Sequence, residues 1–307
     1  MTDLRVSVAG IEFQNPVLLA SGTAAFGRAL AGVIDIDELG GIVTKAVSIE
    51  PRRGNASPRV AEFDGGMLNA IGLAIPGVEA VRRDDLPWLA ANVKRARVIV
   101  NVVGSRTEDF AEVVRRLDDL DIVSAFELNV SCPNVRAGGI EFCADRASLH
   151  AVIAGARGAT RRPLFVKLSP VLPAIGDVAA AAVAAGADGI TVVNTLPGLV
   201  IDIESRAPRI GFGTGGASGA GLLPVGVLAT HRVRQAVSVP IIGVGGIASA
   251  TDALQYIIAG ASLVAVGTAN LRDPRTAGRI VRDMGRWCDR NGVGALRELI
   301  GTVEWPT

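Results

Sequence analysis

Eight short apolar runs, rich in β-branched residues, recur along the chain: VLLAS (17–21), GIVTKAV (41–47), RVIVNVV (97–103), AFELNV (125–130), LFVKLS (164–169), GITVVN (189–194), VPIIGVG (239–245) and LVAVG (263–267). They are apolar nearly throughout, as strands buried on both faces must be. Segments with helical spacing lie between them. FAEVVRRLDDL (110–120) puts Phe110, Val113, Val114 and Leu117 on one face and charges on the other. IGDVAAAAVAAGA (175–187) ends in a glycine stop, PVGVLATHRVRQAV (224–237) starts with proline, and TDALQYIIAGA (251–261) starts with a Thr-Asp cap signal. Strand followed by helix, repeated through about 250 residues, is the pattern of an α/β protein of the (β/α)8 TIM-barrel type. The rival is a doubly wound open sheet. The barrel is favoured because similar units run end to end with no linker or compositional break, so residues 1–307 read as a single domain. LRVSVAGIEFQNP, before the first unit, reads as a short N-terminal β-hairpin turning at Ala9-Gly10.

Composition narrows the function classes. A formal net charge of +1 over 307 residues gives neither a nucleic-acid footprint nor a polybasic membrane patch. The three cysteines form no CxxC pair, which argues against a disulfide framework, a zinc ribbon or an iron–sulfur cluster held by this chain alone. MTDLRVSVAGIEF lacks the pattern of a signal peptide. No uninterrupted apolar run reaches the roughly 18 residues of a spanning helix. The expectation is a reduced, cytoplasmic setting.

In a barrel the chemistry sits at the C-terminal ends of the strands. Those ends carry Ser21, Thr44-Lys45-Ala46, Asn101, Asn129 with Ser131-Cys132-Pro133-Asn134, Lys167, Asn194-Thr195, Gly245-Gly246 and Gly267-Thr268. Histidines and carboxylate clusters are missing from this set, and His150 and His231 fall on expected helices. GVGGIA (243–248) fits the loose dinucleotide fingerprint, but the acidic residue expected about 20 positions on is absent. A phosphate cradle made with VGTAN (266–270) and the glycine-rich GFGTGGASGAG (211–221) reads better, against simple tight turns. Lys45 and Lys167 lie inside apolar strands, where an unpaired ammonium is costly. Surface snorkelling would explain either alone; the two together point to an anionic ligand such as a flavin. Asn69, Asn101, Asn129, Asn134 and Asn194 offer donors and acceptors suited to a pyrimidine, though any one could be a turn or cap residue. Cys143 and Cys288 read as ordinary buried thiols. Cys132, in the loop after the fourth strand, is either a small buried hydrophobe or the best available base or nucleophile.

ELNVSCPN (127–134), FVKLSP (165–170), VVNTL (192–196), IIGVGGI (241–247), VAVGTAN (264–270) and GGMLNAIGL (65–73) together resemble the class 1 dihydroorotate dehydrogenases essentially end to end. PRRGNASPRVAEF (51–63) and the loop that follows it resemble class 1B. The resemblance implies an FMN-containing barrel, one FMN per chain, that oxidises dihydroorotate to orotate in pyrimidine biosynthesis. It implies cofactor contacts from Ser21, Lys45, Ala46, Asn101, Asn129, Lys167, Val193, Gly219, Gly245, Gly246, Gly267 and Thr268. Substrate contacts are implied for Lys45, Asn69, Ala70, Ile71, Gly72, Leu73, Asn129, Asn134, Asn194 and Thr195, with Cys132 as the base that removes the C5 proton as the C6 hydride leaves. It further implies an electron-transfer partner subunit carrying FAD and a [2Fe–2S] cluster, in a heterotetramer built on a dimer of this chain, with no metal held by the chain itself. The sixth-strand loop departs from the family, reading GTGGASGAGLLP without a lysine before the threonine or a proline after Ser-Gly. A barrel acting on another dihydropyrimidine, a class 1A-like fumarate-linked enzyme and an inactive flavin-binding paralogue are the alternatives. The 48–76 segment exceeds ordinary loop length, which suggests a lid or binding loop.

Overall fold

The computed structural model describes residues 2–131 and 142–306. Eight parallel strands close into a barrel: β1 (Val17–Leu19), β2 (Gly41–Val43), β3 (Arg97–Val102), β4 (Val123–Asn129), β5 (Leu164–Leu168), β6 (Gly189–Val192), β7 (Ile241–Val244) and β8 (Leu263–Val266). Each pairs with its sequence neighbour, and β8 returns to β1 with Ala265 opposite Leu18. All eight expected strands form, each ending at or before its apolar run does.

Side-chain alternation sorts these strands into two packing environments. Phe126, Leu128, Val166, Ile190 and Val264 face outward into the main core shared with the helices. Leu18, Val43, Ile99, Ala125, Phe165 and Ile242 face inward and form a second, smaller apolar cluster. The N-terminal hairpin, Val6–Val8 paired with Ile11–Phe13, adds Val6, Val8 and Phe13 to that inner cluster and closes the end where the strands begin. Its turn is the two-residue kind, with Ala9 and Gly10 at φ 49° and 78°.

Seven of the eight expected helical connections hold. After β1 the chain makes only 3-10 turns, Arg28–Leu30 and Ile36–Glu38. Gly22, Gly27 and Gly32 in this stretch all have φ near +80°, which interrupts any helix. The amphipathic helix Thr107–Leu117 buries Phe110, Val113, Val114 and Leu117 as its spacing requires. Helix Ala250–Ala259 is capped two residues earlier than expected: Ser249 Oγ accepts from the Asp252 amide at 3.2 Å, and Asp252 Oδ2 accepts from the Ser249 amide at 2.9 Å. Among the described residues, no helix is long and apolar enough to cross a membrane.

Two connections that read as loops each carry two strands of one sheet. Val60–Phe63 and Gly66–Asn69, from the connection after β2, join Leu196–Gly198 and Gly215–Ser218, from the connection after β6, in a four-stranded antiparallel sheet. The glycines of the GTGGASG run are what permit it. A Cβ on Gly215 would lie 2.5 Å from the Asn69 carbonyl oxygen, and one on Gly216 would lie 2.0 Å from Thr195 Oγ1. Ala61, Leu68, Ala70 and Ile210 form the small core of this sheet.

Candidate active site

Above the inner apolar cluster, the same inward alternation turns polar. Ile99 is followed two residues later by Asn101, Ala125 by Glu127 and then Asn129, and Phe165 by Lys167. In register, Asn101 stands opposite Glu127, and Lys167 opposite both Asn129 and Thr191. Asn101, Glu127 and Thr191 are at most 1 % exposed and Lys167 7 %, so this polar layer lies deep in the barrel. Burying such groups is unfavourable unless they are partnered or serve a ligand.

The partners are few. Asn101 Nδ2 donates to Glu127 Oε1 at 2.6 Å, and the Asn101 amide donates to Thr44 Oγ1 at 3.2 Å. Asn101 Oδ1 and Thr191 Oγ1 are buried with no hydrogen-bond partner. Lys45, Arg59, Glu127 and Lys167 enter none of the ion pairs among the described residues. Burial, and then the charge of Arg59, hold the Lys45 ammonium below the usual lysine range. Lys45 and Arg59 thus lie close enough to repel and enter none of the ion pairs among the described residues, an arrangement suited to an anion.

Nearer the mouth, Asn194 ties β6 to the end of β4. Its Nδ2 donates to Ser131 Oγ at 3.0 Å, to the Ser131 carbonyl at 3.1 Å and to Asn129 Oδ1 at 3.3 Å, while its Oδ1 accepts from the Thr195 amide at 2.8 Å. The Val192–Val193 peptide just before it is cis. The sheet reaches the same region: Asn69 Nδ2 donates to the Gly216 carbonyl at 3.1 Å, and Thr195 packs against Gly216. Residues 70–73 turn back over the barrel. The Ala70 amide donates to the Arg59 carbonyl at 2.8 Å, Gly72 and Leu73 take positive φ, and Leu73 packs on Ala46.

On the far side, the loops after β6, β7 and β8 converge. Thr268 Oγ1 donates to Ser218 Oγ at 2.8 Å. Gly246, at φ 72°, lies so close to the start of helix Leu223–Ala236 that a Cβ there would sit 2.4 Å from the Leu223 amide nitrogen. Gly219, at φ 112°, packs as tightly on Gly65 and Gly66. Backbone amides at a helix start, open glycines and Thr268 form a cradle suited to a phosphate. Gly245 and Gly267 complete its edges, and Ser21 follows Ala20, whose Cβ stands 3.5 Å from the Cβ position of Gly267.

The fold therefore gathers nearly all the sequence-assigned positions at one end of the barrel. Cys132 and Asn134 lie outside the described residues. Sequence reasoning missed Glu127, Arg59 and Thr191, and placed Thr44 and Ser131 at strand ends without giving them a role. Glu127 had a visible signal, a charged residue at an inward position of an apolar strand; Arg59 had none, because its place depends on the sheet.

A family model described as dihydroorotate dehydrogenase matches residues 3–287. The chain is 46% identical over 302 residues to a protein of Pelobacter propionicus named dihydroorotate dehydrogenase B (NAD(+)), catalytic subunit, covering 98% of this chain and 99% of that one. It is 44% identical to the protein of the same name from Geotalea uraniireducens, covering 98% of each. Among solved structures, it is similar to DHODH from Eimeria tenella, crystallised in complex with ferulenol, with a TM-score of 0.83 and 25% identity over 98% of this chain and 88% of that one.

Proposed function

The chain belongs to the dihydroorotate dehydrogenase family, and we propose that it is the FMN-carrying catalytic subunit of an NAD-linked enzyme of that family. It oxidises dihydroorotate to orotate in pyrimidine biosynthesis. The observation that carries this reading is the end-to-end likeness at 46% identity, combined with the polar layer at the strand ends.

The residues present fit FMN. Lys167 is a buried cation outside every ion pair described, Asn101 Oδ1 is a buried acceptor without a donor, and Gly219, Gly245, Gly246, Gly267 and Thr268 line a phosphate-sized cradle. The same reading adds Ser21, Ala46, Asn129 and Val193 to the cofactor's contacts. Bound FMN supplies the two-electron acceptor for the substrate's ring hydride.

The chain's own residues do the rest. Lys45 and Arg59 attract the substrate carboxylate, and the backbone of 69–73 covers it. Asn129, Asn134, Asn194 and Thr195 hold the pyrimidine edges, and the Asn194 bonds to Ser131 fix the side-chain amides before substrate arrives. Such preorganisation reduces the ordering cost of binding. Cys132, next to Ser131 in the sequence, takes the C5 proton as thiolate. Electrons pass to NAD through a partner subunit carrying FAD and a [2Fe–2S] cluster, in a cytoplasmic heterotetramer built on a dimer of this single-domain chain.

Anaerobic addition of dihydroorotate to the purified protein tests the reading. The expected outcome is loss of the yellow flavin absorbance with formation of orotate; a chain that takes up no FMN, or keeps its absorbance, would sink it.

A further inference from the structure

Glu127 is the carboxylate of the inward polar layer, 1 % exposed, and none of the steps above uses it. Its position in β4 is fixed by alternation with Ala125 below and Asn129 above. It stands in register with Asn101 of β3 and accepts from Asn101 Nδ2 at 2.6 Å.

An asparagine amide has two faces of opposite character, one donating and one accepting. The Glu127 oxygen that accepts from the amide nitrogen favours one of the two amide orientations over the flipped one, which would set oxygen against oxygen. Its consequence appears on the other side of the amide: Asn101 Oδ1 is turned away from Glu127 and buried with no donor. A buried acceptor left open in this way costs stability on its own and is explained by a ligand donor.

We infer that Glu127 is a positioning residue that locks the Asn101 amide so that its oxygen accepts from a donor on bound FMN. This rests on the FMN reading above. Asn101, fully buried, lies deeper than the half-buried Asn129 and Asn194, which suits the ligand seated first. Glu127 acts only through Asn101, and the pair has a property that a merely structural contact lacks. It can be inverted. With Glu127→Gln and Asn101→Asp together, the glutamine amide donates to one carboxylate oxygen, and the other oxygen still accepts from the ligand. The formal charge of the pair is unchanged.

The test is FMN affinity of the full chain, measured by fluorescence quenching on reconstitution, together with the visible flavin spectrum. Glu127→Gln frees the amide to flip and should weaken FMN about tenfold, the size of one misplaced hydrogen bond. Asn101→Asp alone faces two carboxylates and should weaken it more. The double variant should bind within about threefold of the parent and recover its spectrum, a coupling that contact through one pair requires. If either single variant fails to fold, the double variant against the parent still decides. A double variant that binds as poorly as the product of the single effects, or worse than either, overturns the pairing. A parent chain that takes up no FMN overturns the underlying reading instead.

Discussion

The hydroxyl of Tyr256 donates to the carbonyl of Gly245 at 2.7 Å, and so a helix residue sets the backbone at the end of β7. The ring is fully buried between two glycines: a Cβ on Gly226 would lie 1.8 Å from the hydroxyl oxygen, and one on Gly243 would lie 2.3 Å from Cδ1. Burial, and then the Asp252 charge, push the phenol upward, so it stays a neutral donor. Tyr256→Phe keeps the packing and loses the bond. It should cost about 1 kcal/mol of stability and weaken FMN severalfold by freeing Gly245. Gly226→Ala should cost more, about 1–3 kcal/mol or beyond, by overpacking. Thermal melts of the two variants beside the parent check the order; equal losses would contradict it.

Lys45 gives a pH dependence whose sign follows from its surroundings. Its folded-state pKa is depressed, by burial first and Arg59 second. Below that value the ammonium is charged in both folded and unfolded chains, and the burial cost is fully present. As pH rises through it towards the ordinary lysine value, the folded chain sheds its proton first and the cost is relieved. The ligand-free parent should therefore gain stability across that alkaline window, and Lys45→Met should flatten the gain while raising the neutral-pH melting temperature. Orotate binding should fall by about tenfold to a hundredfold in the variant, the worth of a charged hydrogen bond. Melting curves and orotate titrations at several pH values would read both; a variant less stable than the parent at neutral pH would refute the account.

Lys167 is buried at 7 % exposure opposite Asn129 and Thr191. Lys167→Ala should leave the barrel folded, because it removes a buried ammonium that enters none of the ion pairs among the described residues. FMN should then bind at least about tenfold more weakly or be reduced more slowly. Flavin content after purification and the anaerobic reduction rate measure the two effects, and unchanged values for both would remove Lys167 from the cofactor site.

The barrel was legible because fully buried strands have one reading, near-continuous apolar runs, and eight of them admit few arrangements. Asn101, Asn129, Lys167 and Asn194 were legible for the same reason, since a polar residue late in such a run stands out. The four-stranded sheet was not. Val60–Phe63 has only one buried residue, and Gly215–Ser218 is built of small residues whose role depends on what approaches them. Pairing of Gly216 with Asn69 joins segments far apart in the chain, which local pattern cannot reveal. Glu127 gives a weak signal because it stands alone beside an amide and not in a cluster of acids. The first unit lacks its helix because of the glycines at 22, 27 and 32, a local break within an otherwise regular series of units.

Cys132 follows in sequence on Ser131, whose hydroxyl and carbonyl both accept from Asn194 Nδ2. A free thiol is only a few per cent thiolate at neutral pH, and flavin reduction should quicken as pH rises towards the thiol's own pKa. Cys132→Ala should slow reduction by roughly 10²–10⁴, the usual worth of a general base. Orotate should still bind, because the asparagines and Lys45 hold the ring. Stopped-flow reduction of the variant at the parent rate would make the cysteine structural.

The last expectation concerns where the electrons go. A [2Fe–2S] cluster needs four ligands, and the chain's three cysteines are spread over positions 132, 143 and 288. Cys143 and Cys288 are buried, and among the described residues no group of His, Cys, Asp and Glu could hold a metal. The dinucleotide-like GVGGIA run is spoken for as well: Gly245 is bonded to Tyr256, Gly246 is pressed on Leu223, and Asp252 beyond it is consumed in capping Ser249. The proposed reading accordingly has NAD met on a second protein. The purified chain with FMN should therefore turn over dihydroorotate with artificial dyes or oxygen and scarcely with NAD. Adding a subunit that carries FAD and a [2Fe–2S] cluster should raise NAD reduction by orders of magnitude. Steady-state assays with each acceptor decide the matter: vigorous NAD reduction by the single chain would refute the partner requirement, and rapid turnover with fumarate would move the chain to the fumarate-linked branch of its family.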